Sequence, residues 1–557
     1  PITTAVRTSR TFIRMTNRTR TDALLLAGFC AFLFFYGLGQ FGLIGADEPR
    51  YAQVAREMLE RRDFVTPVLG GQPWLEKPPL YYWQAMAAYR IVGVSDWAAR
   101  LPSAFDDTLL VLAVYFFLRR FRRGAEVDGA LMVASCAGIT GYARAASMDM
   151  ALAVAFSVGM LCWWAWHETG NRVYLAVFFA LMALGTLAKG PVAPFLACLV
   201  IAVYASAVRD FRVAFKTIWL PGILLFCAIA LPWYFEVQAR NPGFFREFIV
   251  EHNLGRFSKN IYHHTEPFWY YLPVTALALV PWIIFVTAAF VRSLREWWIA
   301  QSSTDRSKDV PEYRFGIFLC CWLIVPVFFF SISQSKLPGY ILPAIPAGAL
   351  LLADDLRRGL ARNDAQPAPL WLAILHALFA SAPIVPALLI AYLITQHRLP
   401  GGQPMLVALS VGFVLSVGIA LTLVRKNGLG MLRFVTLIPV VLVVGAVLKL
   451  GSGAIDASLS ARPLAQEIAA VELHQLPLAV YHVRRELEYG LTFYRNRLTF
   501  NYDWGSIPKE EHLVVAPENS QVEIAKLAAG RRVSYLGHYA PQHVDYFWVA
   551  AASRSLP

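Results

Sequence analysis

Residues 23–51 read ALLLAGFCAFLFFYGLGQFGLIGADEPRY, a long apolar run that stops at an acidic pair. A helix needs about 20 mainly apolar residues to cross the hydrocarbon core of a bilayer, and this run supplies them. Similar runs recur along the 557 residues, of which 57% are hydrophobic and 16% charged. Soluble domains are about 45–50% apolar and about 25% charged. The sequence therefore predicts a polytopic α-helical membrane protein.

Thirteen apolar runs are predicted to span the membrane. They lie near 23–43, 98–118, 127–143, 149–166, 172–188, 191–208, 216–235, 268–291, 314–332, 339–353, 370–394, 405–424 and 432–450. The connecting segments alternate between two sides, and basic ones such as Arg119–Arg123 and Arg209–Lys216 share one side. Cytoplasmic loops are enriched in Lys and Arg, so we expect the N-terminus in the cytoplasm and the C-terminus in the periplasm, across a bacterial inner membrane. The same loops account for the net charge of +13, so no nucleic-acid partner is predicted.

The chain divides into two predicted domains. Residues 1–450 form the membrane domain, with long periplasmic loops at 44–97 and 236–267, and residues 451–557 form a small α/β domain. Its predicted strands are Leu478–Val483, His512–Val515, Arg532–Gly537 and Val544–Ala550, alternating with helices near 461–473, 485–495 and 519–529. This domain has no glycine-rich phosphate loop and no nucleophile elbow. We therefore expect a docking or lid module rather than the catalytic centre.

The loop 44–97 begins with a predicted amphipathic helix. In Pro49–Arg62, one helical face carries apolar side chains, namely Tyr51, Val54, Ala55, Met58 and Leu59. The opposite face is charged. This pattern is typical of a helix that lies at a membrane surface.

Acidic residues lie at the predicted outer membrane face. Asp47 and Glu48 follow the first span, and Asp149 lies where the fourth span begins. Each Asp could serve only as a helix N-cap. A carboxylate so near the hydrocarbon boundary is costly unless it is paired or functional, so a shared site for Asp47 and Asp149 is the alternative.

Three cations, Lys77, Lys189 and Lys336, are also predicted at the outer face. Lysines at helix ends commonly extend to the interface without further function. Three of them on the side where cations are normally scarce favour an anionic ligand. Glu76, His263 and His264 have the side-chain types that bind Zn²⁺, although no metal-ligand spacing joins them and ordinary surface histidines are the alternative.

Six segments together resemble the ArnT family of the GT-C glycosyltransferase superfamily. They are GADEPRYAQVAREML, WLEKPPLYYW, ARAASMDMAL, LAKGPVAP, EHNLGRFSKNIYHHTEPFWYYLP and SQSKLPGYILP, and they cover about 47–343 in the family's order. The resemblance implies a GT-C fold and a pentosyltransferase. Such an enzyme moves 4-amino-4-deoxy-L-arabinose from undecaprenyl phosphate to lipid A, with inversion at the sugar. It acts at the periplasmic face and gives resistance to polymyxin-type cationic peptides.

The resemblance also assigns residues. Asp47 and Asp149 match the family's essential acidic positions and, with Glu48 beside them, form the predicted catalytic set. Lys77, Arg256, Lys336 and Tyr340 match its donor-phosphate region, and Tyr81, Lys189 and His252 complete the predicted donor-phosphate and substrate set. Glu76 and His264, with His263 as a further ligand, form the metal set for a divalent ion such as Zn²⁺. The expected partners are the lipid-linked donor, lipid A and membrane lipids.

Two other functions stay open at this point. One is a GT-C transferase that glycosylates a protein or another glycan. The other is a transporter or flippase of lipid-linked sugars, although transporters usually show internal repeats and broken helices near the membrane midplane. The sequence also leaves open the donor sugar, the metal, which Asp acts as a base, the role of 451–557 and the oligomeric state.

Overall fold

The computed structural model describes residues 17–246, Phe248, 266–302, 312–361, 367–394 and 404–552. Within these ranges nine helices are long and apolar enough to cross a membrane. They are Asp96–Phe121, Met148–Thr169, Arg172–Lys189, Leu220–Arg240, Tyr313–Ile332, Pro338–Ala361, Leu370–Leu389, Pro404–Leu423 and Gly428–Leu459. A tenth span would be the pair Phe268–Ala278 and Ile283–Ser302, which is bent by 112°. The predicted multi-pass helical architecture is confirmed, and the count of thirteen spans stays a prediction.

The helices of the membrane domain are numbered in chain order. They are α1 (Asn17–Cys30), α2 (Asp47–Arg61), α3 (Leu80–Val92), α4 (Asp96–Phe121), α5 (Glu126–Ser135), α6 (Ala137–Ala143), α7 (Met148–Thr169), α8 (Arg172–Lys189) and α9 (Val192–Ala207). Next come α10 (Phe211–Thr217), α11 (Leu220–Arg240), α12 (Tyr271–Ala278), α13 (Ile283–Ser302), α14 (Glu312–Ile332), α15 (Ile345–Ala361), α16 (Leu370–Ser381), α17 (Ile384–Ile394), α18 (Pro404–Leu423) and α19 (Leu432–Ala446).

Several predicted spans differ from the helices that the chain forms. The predicted span 23–43 is helical only to Phe35, and 191–208 contains the 16-residue helix α9. The predicted spans 127–143 and 268–291 are both interrupted, at Cys136 and at 279–282. The two interruptions contact each other: Ala137 N donates to Val280 O at 2.8 Å, and Trp282 Nε1 donates to Ser135 Oγ at 2.9 Å. Irregular backbone at membrane depth is tolerated where protein buries and satisfies it, which hydropathy does not reveal.

The first outer loop is packed protein rather than a helix on a membrane surface. Predicted at 49–62, α2 spans Asp47–Arg61, and Tyr51, Val54, Ala55 and Met58 on its apolar face are buried. These side chains share a core with α3, α4 and Ala146, just before α7. The predicted membrane-surface location is therefore wrong for this face, because helices of the same chain cover it. A short antiparallel pair, β1 (Val68–Leu69) and β2 (Gln72–Pro73), links α2 to α3.

The C-terminal residues form the predicted mixed α/β structure. Five strands, β3 (Leu478–Val480), β4 (Phe500–Asn501), β5 (His512–Pro517), β6 (Val533–Tyr539) and β7 (Val544–Val549), make one sheet in the order β4-β3-β5-β7-β6. β3 is parallel to β4 and β5, whereas β7 is antiparallel to β5 and β6. The helices are α20 (Ser452–Leu459), α21 (Arg462–Val471), α22 (Arg485–Arg495) and α23 (Gln521–Leu527). The helix α20 and the two-residue edge strand β4 were not predicted.

The C-terminal α/β unit is fastened to the segment that precedes the first outer loop and to the first residue of α4. Arg462 donates to Asp96 Oδ2 at 2.8 Å, to Gly39 O at 3.2 Å and to Gln40 O at 3.0 Å. Tyr494 Oη donates to Asp96 Oδ1 and accepts from Leu43 N, each at 2.6 Å. These contacts hold the sheet domain against the end of the helical bundle that carries Asp47.

Candidate active site

Asp47 opens helix α2 without capping it. The N-cap position is Ala46, which makes no side-chain cap bond, and Asp47 occupies the first turn. A carboxylate in the first turn is favoured by the helix dipole. The Asp47 side chain is 53% exposed, and its Oδ1 accepts a hydrogen bond from the Arg50 guanidinium. The N-cap interpretation of Asp47 is therefore wrong, and the carboxylate stands at the surface with one cation.

Glu48, the next residue, is buried and fully engaged. Its Oε2 accepts from Ile44 N at 2.8 Å and Arg100 Nη2 at 2.7 Å, and its Oε1 from Ala146 N at 2.7 Å and Arg100 Nε at 3.1 Å. Arg100 also donates to carbonyls of the segment just before the first loop, namely those of Leu38, Phe41 and Gly42. Glu48 and Arg100 therefore join the first loop to α4 and to the segment before α7. Both carboxylate oxygens of Glu48 are thus held by structural contacts, and its catalytic role stays a prediction.

Asp149 lies in the first turn of α7 and pairs with a lysine. Ser147 is the N-cap, and its Oγ accepts from Asp149 N at 3.1 Å, so the capping interpretation of Asp149 is also wrong. The Asp149 carboxylate forms an ion pair with Lys189 at the end of α8, and both side chains are less than one fifth exposed. Lys189 Nζ also lies 4.4 Å from the ring centroid of Tyr340. Three sequence candidates thus form one cluster.

Gly339 makes the close packing of that cluster possible. A Cβ atom at this position would lie 2.8 Å from Tyr142 Oη and 2.9 Å from Asp149 Cγ. Distances of this size are clashes for a side-chain carbon. The glycine in SQSKLPGY therefore lets the turn before α15 approach the carboxylate of Asp149.

Asp47 and Asp149, 102 positions apart in the sequence, lie at the same end of the helical bundle. Burial raises the pKa of the Tyr51 phenol, and the negative charges of Asp47 and Asp149 raise it further. The phenol of Tyr142 likewise lies within electrostatic range of both carboxylates. Tyr51 of α2 and Met148 of α7 also lie in one hydrophobic core, so the first turns of these helices, which carry Asp47 and Asp149, are close together. A shared catalytic role for the two acids stays a prediction.

Arg50 is a site residue that the sequence reasoning missed. Burial by itself would lower the pKa of its guanidinium, but the surrounding phenols and the carboxylates of Asp47 and Glu76 raise it above the usual value. The i,i+3 spacing of Asp47 and Arg50 on a helix is a signal that could have revealed the pair. In the sequence analysis Arg50 belonged only to the charged face of the helix predicted at Pro49–Arg62.

Of the other residues predicted to bind the donor or a metal, three are buried and four lie outside the described residues. Lys336 is buried and its Nζ donates to Ser333 O at 2.6 Å, and Lys77 is buried as well. Tyr81 is fully buried and donates its hydroxyl to Ala99 O at 2.8 Å, so its observed role is packing. His252, Arg256, His263 and His264 lie outside the described residues.

The described residues alone do not make a metal site. Among them no group of three or more His, Cys, Asp or Glu side chains is placed to hold a metal ion. Glu76 lies within electrostatic range of Arg50, whose positive charge competes with a metal for the carboxylate. The divalent ion at Glu76, His264 and His263 stays a prediction.

Known proteins resemble this chain in sequence and in fold. The dolichyl-phosphate-mannose-protein mannosyltransferase family model matches residues 22–246. This chain is 31% identical to two proteins named undecaprenyl phosphate-α-4-amino-4-deoxy-L-arabinose arabinosyl transferase. One is from Pseudomonas aeruginosa, aligned over 348 residues, and the other is from Yersinia enterocolitica, aligned over 341. These alignments cover 61% and 60% of this chain, and the chain spans only 60% and 59% of those relatives.

Solved structures extend the likeness in fold to nearly the whole chain. ArnT from Cupriavidus metallidurans bound to undecaprenyl phosphate superposes with a TM-score of 0.73 at 22% identity, covering 96% of this chain and 99% of that one. Its apo form gives 0.72 at 21% identity, with 95% and 98% covered. The sequence resemblance to these arabinosyl transferases is thus confirmed over about three fifths of the chain, and the predicted multi-pass helical fold with a C-terminal α/β unit matches the fold of the ArnT structures over nearly all of it.

Proposed function

We propose that this chain transfers 4-amino-4-deoxy-L-arabinose from undecaprenyl phosphate to a phosphate of lipid A. The observation that carries the proposal is the cluster of Asp47–Arg50 and Asp149–Lys189 at one end of the bundle. Two acids, each with a cation, suit a reaction between an aminosugar and two phosphates. The named activity of the similar arabinosyl transferases supports the same donor.

The chemistry needs no strong general base. A phosphate monoester has a second pKa of about 6 and is already largely dianionic near neutral pH. One of its oxygens attacks C1 of the sugar, the bond from C1 to the undecaprenyl phosphate oxygen breaks, and the electron pair leaves with that phosphate. A single displacement inverts C1 and moves no proton.

Asp47 and Asp149 then act by position and charge. The exposed carboxylate of Asp47 can hold the donor's ammonium group or orient the acceptor. Lys189, between Asp149 and the ring of Tyr340, is a cation that a substrate phosphate can draw toward itself. Stabilising charge that grows on the leaving phosphate is the largest contribution that such a site makes. Lys336, Lys77 and Arg256 stay proposed as further donor-phosphate ligands.

The proposal includes the cellular setting. The site and the C-terminal α/β domain face the periplasm, the N-terminus faces the cytoplasm, and the protein lies in the bacterial inner membrane. Fusion of a periplasm-dependent reporter after Leu450 is expected to be active, and fusion within 292–314 inactive. The opposite pattern would contradict this orientation and put the site on the wrong side for lipid A.

The direct test is a transfer assay with purified protein in lipid nanodiscs. Undecaprenyl phosphate-aminoarabinose and lipid A are incubated with the unmodified chain or with the Asp149→Ala variant. We expect lipid A to gain one aminoarabinose by mass spectrometry only with the unmodified chain. Undecaprenyl phosphate should appear in equal amount.

A protein acceptor is the second candidate, because the matching family model is that of protein mannosyltransferases. Labelled sugar that enters a membrane protein but not lipid A would favour it. Transport is less well supported. The interrupted spans at Cys136 and 279–282 bond to each other's backbone instead of lining an ion site, and the candidate residues lie at one end of the bundle.

A further inference from the structure

Arg50 sits in a cage of three aromatic rings. Its guanidinium carbon lies 5.2 Å from the ring centroid of Tyr51, 5.3 Å from that of Trp74 and 5.5 Å from that of Tyr489. The Arg50 side chain is only 13% exposed. Two rings come from the first outer loop, and the third comes from α22 in the C-terminal domain. A cation over aromatic faces is attracted by their quadrupoles, most strongly where water is excluded.

The position of Tyr489 is fixed by neighbouring contacts on the same face of α22. Phe493, one turn further along, is buried in the core that α2, α3 and α4 share. Its carbonyl accepts from Arg56 Nη1 of α2 at 3.3 Å, and Asn496 Nδ2 donates to Glu60 at 3.4 Å. The face of α22 that carries residues 489 and 493 therefore lies along α2.

We propose that the C-terminal domain completes the candidate active site, with Tyr489 as a positioning residue that holds the Arg50 guanidinium on Asp47. The inference rests on the proposed function, since it takes Asp47 as a group that meets substrate. Arg50 has a second carboxylate, Glu76, within electrostatic range. The three rings confine the guanidinium to one orientation, in which Nη2 engages only Oδ1 of Asp47. In the described part of the chain, Oδ2 of Asp47 has no protein hydrogen bond and can face the substrate.

The test compares two substitutions of one ring. Tyr489→Leu removes the aromatic face, and we expect kcat/KM for aminoarabinose transfer to fall about tenfold, mainly through kcat. Tyr489→Phe keeps the face and should restore most of the activity. Trp504→Leu is the matched control, because Trp504 is an aromatic residue of the same domain that is 72% exposed and is not one of the three rings around Arg50. Equal activity of the Tyr489→Leu and Trp504→Leu variants would overturn the proposal.

A double-variant cycle separates this role from a general structural one. If Tyr489 acts through Arg50, adding Tyr489→Leu to Arg50→Lys should cause little further loss, because the confined guanidinium is already gone. A loss equal to the product of the two single losses would mean that Tyr489 acts independently. That result would overturn the assignment.

Failure of the proposed function is recognised separately. If the unmodified chain transfers no aminoarabinose, the proposed function is wrong. The placement of Tyr489 can still be tested with p-benzoylphenylalanine at position 489 in the full chain. Photo-crosslinking is expected to a peptide from 47–61, which contains Arg50 and Tyr51, or to a peptide that contains Trp74, and crosslinking only elsewhere would contradict the cage itself.

Discussion

The two ends of the helical bundle use charge differently. At the end with the candidate site, Asp47 pairs with Arg50 and Asp149 with Lys189, each as a single pair. At the opposite end, Asp354 is fully buried and lies 2.9 Å from Arg357, 3.2 Å from Arg358 and 3.8 Å from Arg122. Arg122 also bonds Glu168, and Arg358 bonds Glu296 at 2.6 Å.

The charges around Asp354 stabilise the fold, whereas those of Asp47 and Asp149 can exchange partners. In the network at the Asp354 end, Asp354, Arg122 and Arg358 each contact at least two other ions, so a ligand would have to displace several contacts at once. Asp47 is 53% exposed, and a single ion pair at such a position is worth little and is easily rearranged. Asp149 and Lys189 are less exposed, but in the described part of the chain each has only one ionic partner to give up. The pairs of Asp47 and Asp149 can therefore admit a phosphate or an ammonium group. Glu48 lies at the end of the bundle with the candidate site, but it resembles Asp354 in being buried and in having several partners.

The largest effect is expected from removing one exchangeable charge. Asp149→Asn and Asp47→Asn should each lower transfer by about 10²–10³-fold, as loss of a charge-stabilising group does in other enzymes. Expression and thermal stability should stay near those of the unmodified protein. Asp355→Asn, which removes the partner of Arg292 at the other end, is the control. Full activity of the two Asn variants would show that charge at the site is unnecessary.

An intermediate effect is expected at Glu48. Glu48→Gln leaves the fully buried guanidinium of Arg100 without its countercharge, and breaking a buried pair costs about 3–5 kcal/mol. Thermal unfolding in detergent should show a marked loss of stability. Activity per folded molecule should be largely retained, because Glu48 faces no substrate. Unchanged stability with lost transfer would instead return Glu48 to the catalytic set.

The smallest effect is expected in the network at the Asp354 end. Glu168→Gln removes one carboxylate that is 27% exposed, and Arg122 keeps Asp354 nearby. Such partly exposed pairs contribute about 1 kcal/mol or less. The same unfolding measurement should show a shift well below that of Glu48→Gln. A comparable shift would mean that the two ends do not differ as described.

The site was only partly predictable. Asp47, Asp149, Lys189 and Tyr340 were all candidates, yet nothing in the sequence paired Asp149 with Lys189, 40 positions away. Both aspartates begin helices, which favoured N-caps, but Ala46 and Ser147 occupy those positions. Tyr489 gave no signal, because its partner Arg50 is more than four hundred positions distant. Such pairings depend on how helices pack, and local pattern carries no information about them.

The sequence by itself determined the membrane class, most of the helices, the C-terminal α/β unit and the family resemblance, because these follow from local hydrophobic periodicity and contiguous motifs. Only the tertiary structure decided that spans break at Cys136 and at 279–282, and that α2 is covered by protein instead of lipid. It also gave two adjacent carboxylates different surroundings, one exposed and one buried. Successive residues on a helix point about 100° apart, so Asp47 faces the open site while Glu48 enters the core and meets Arg100, 52 positions further along the chain.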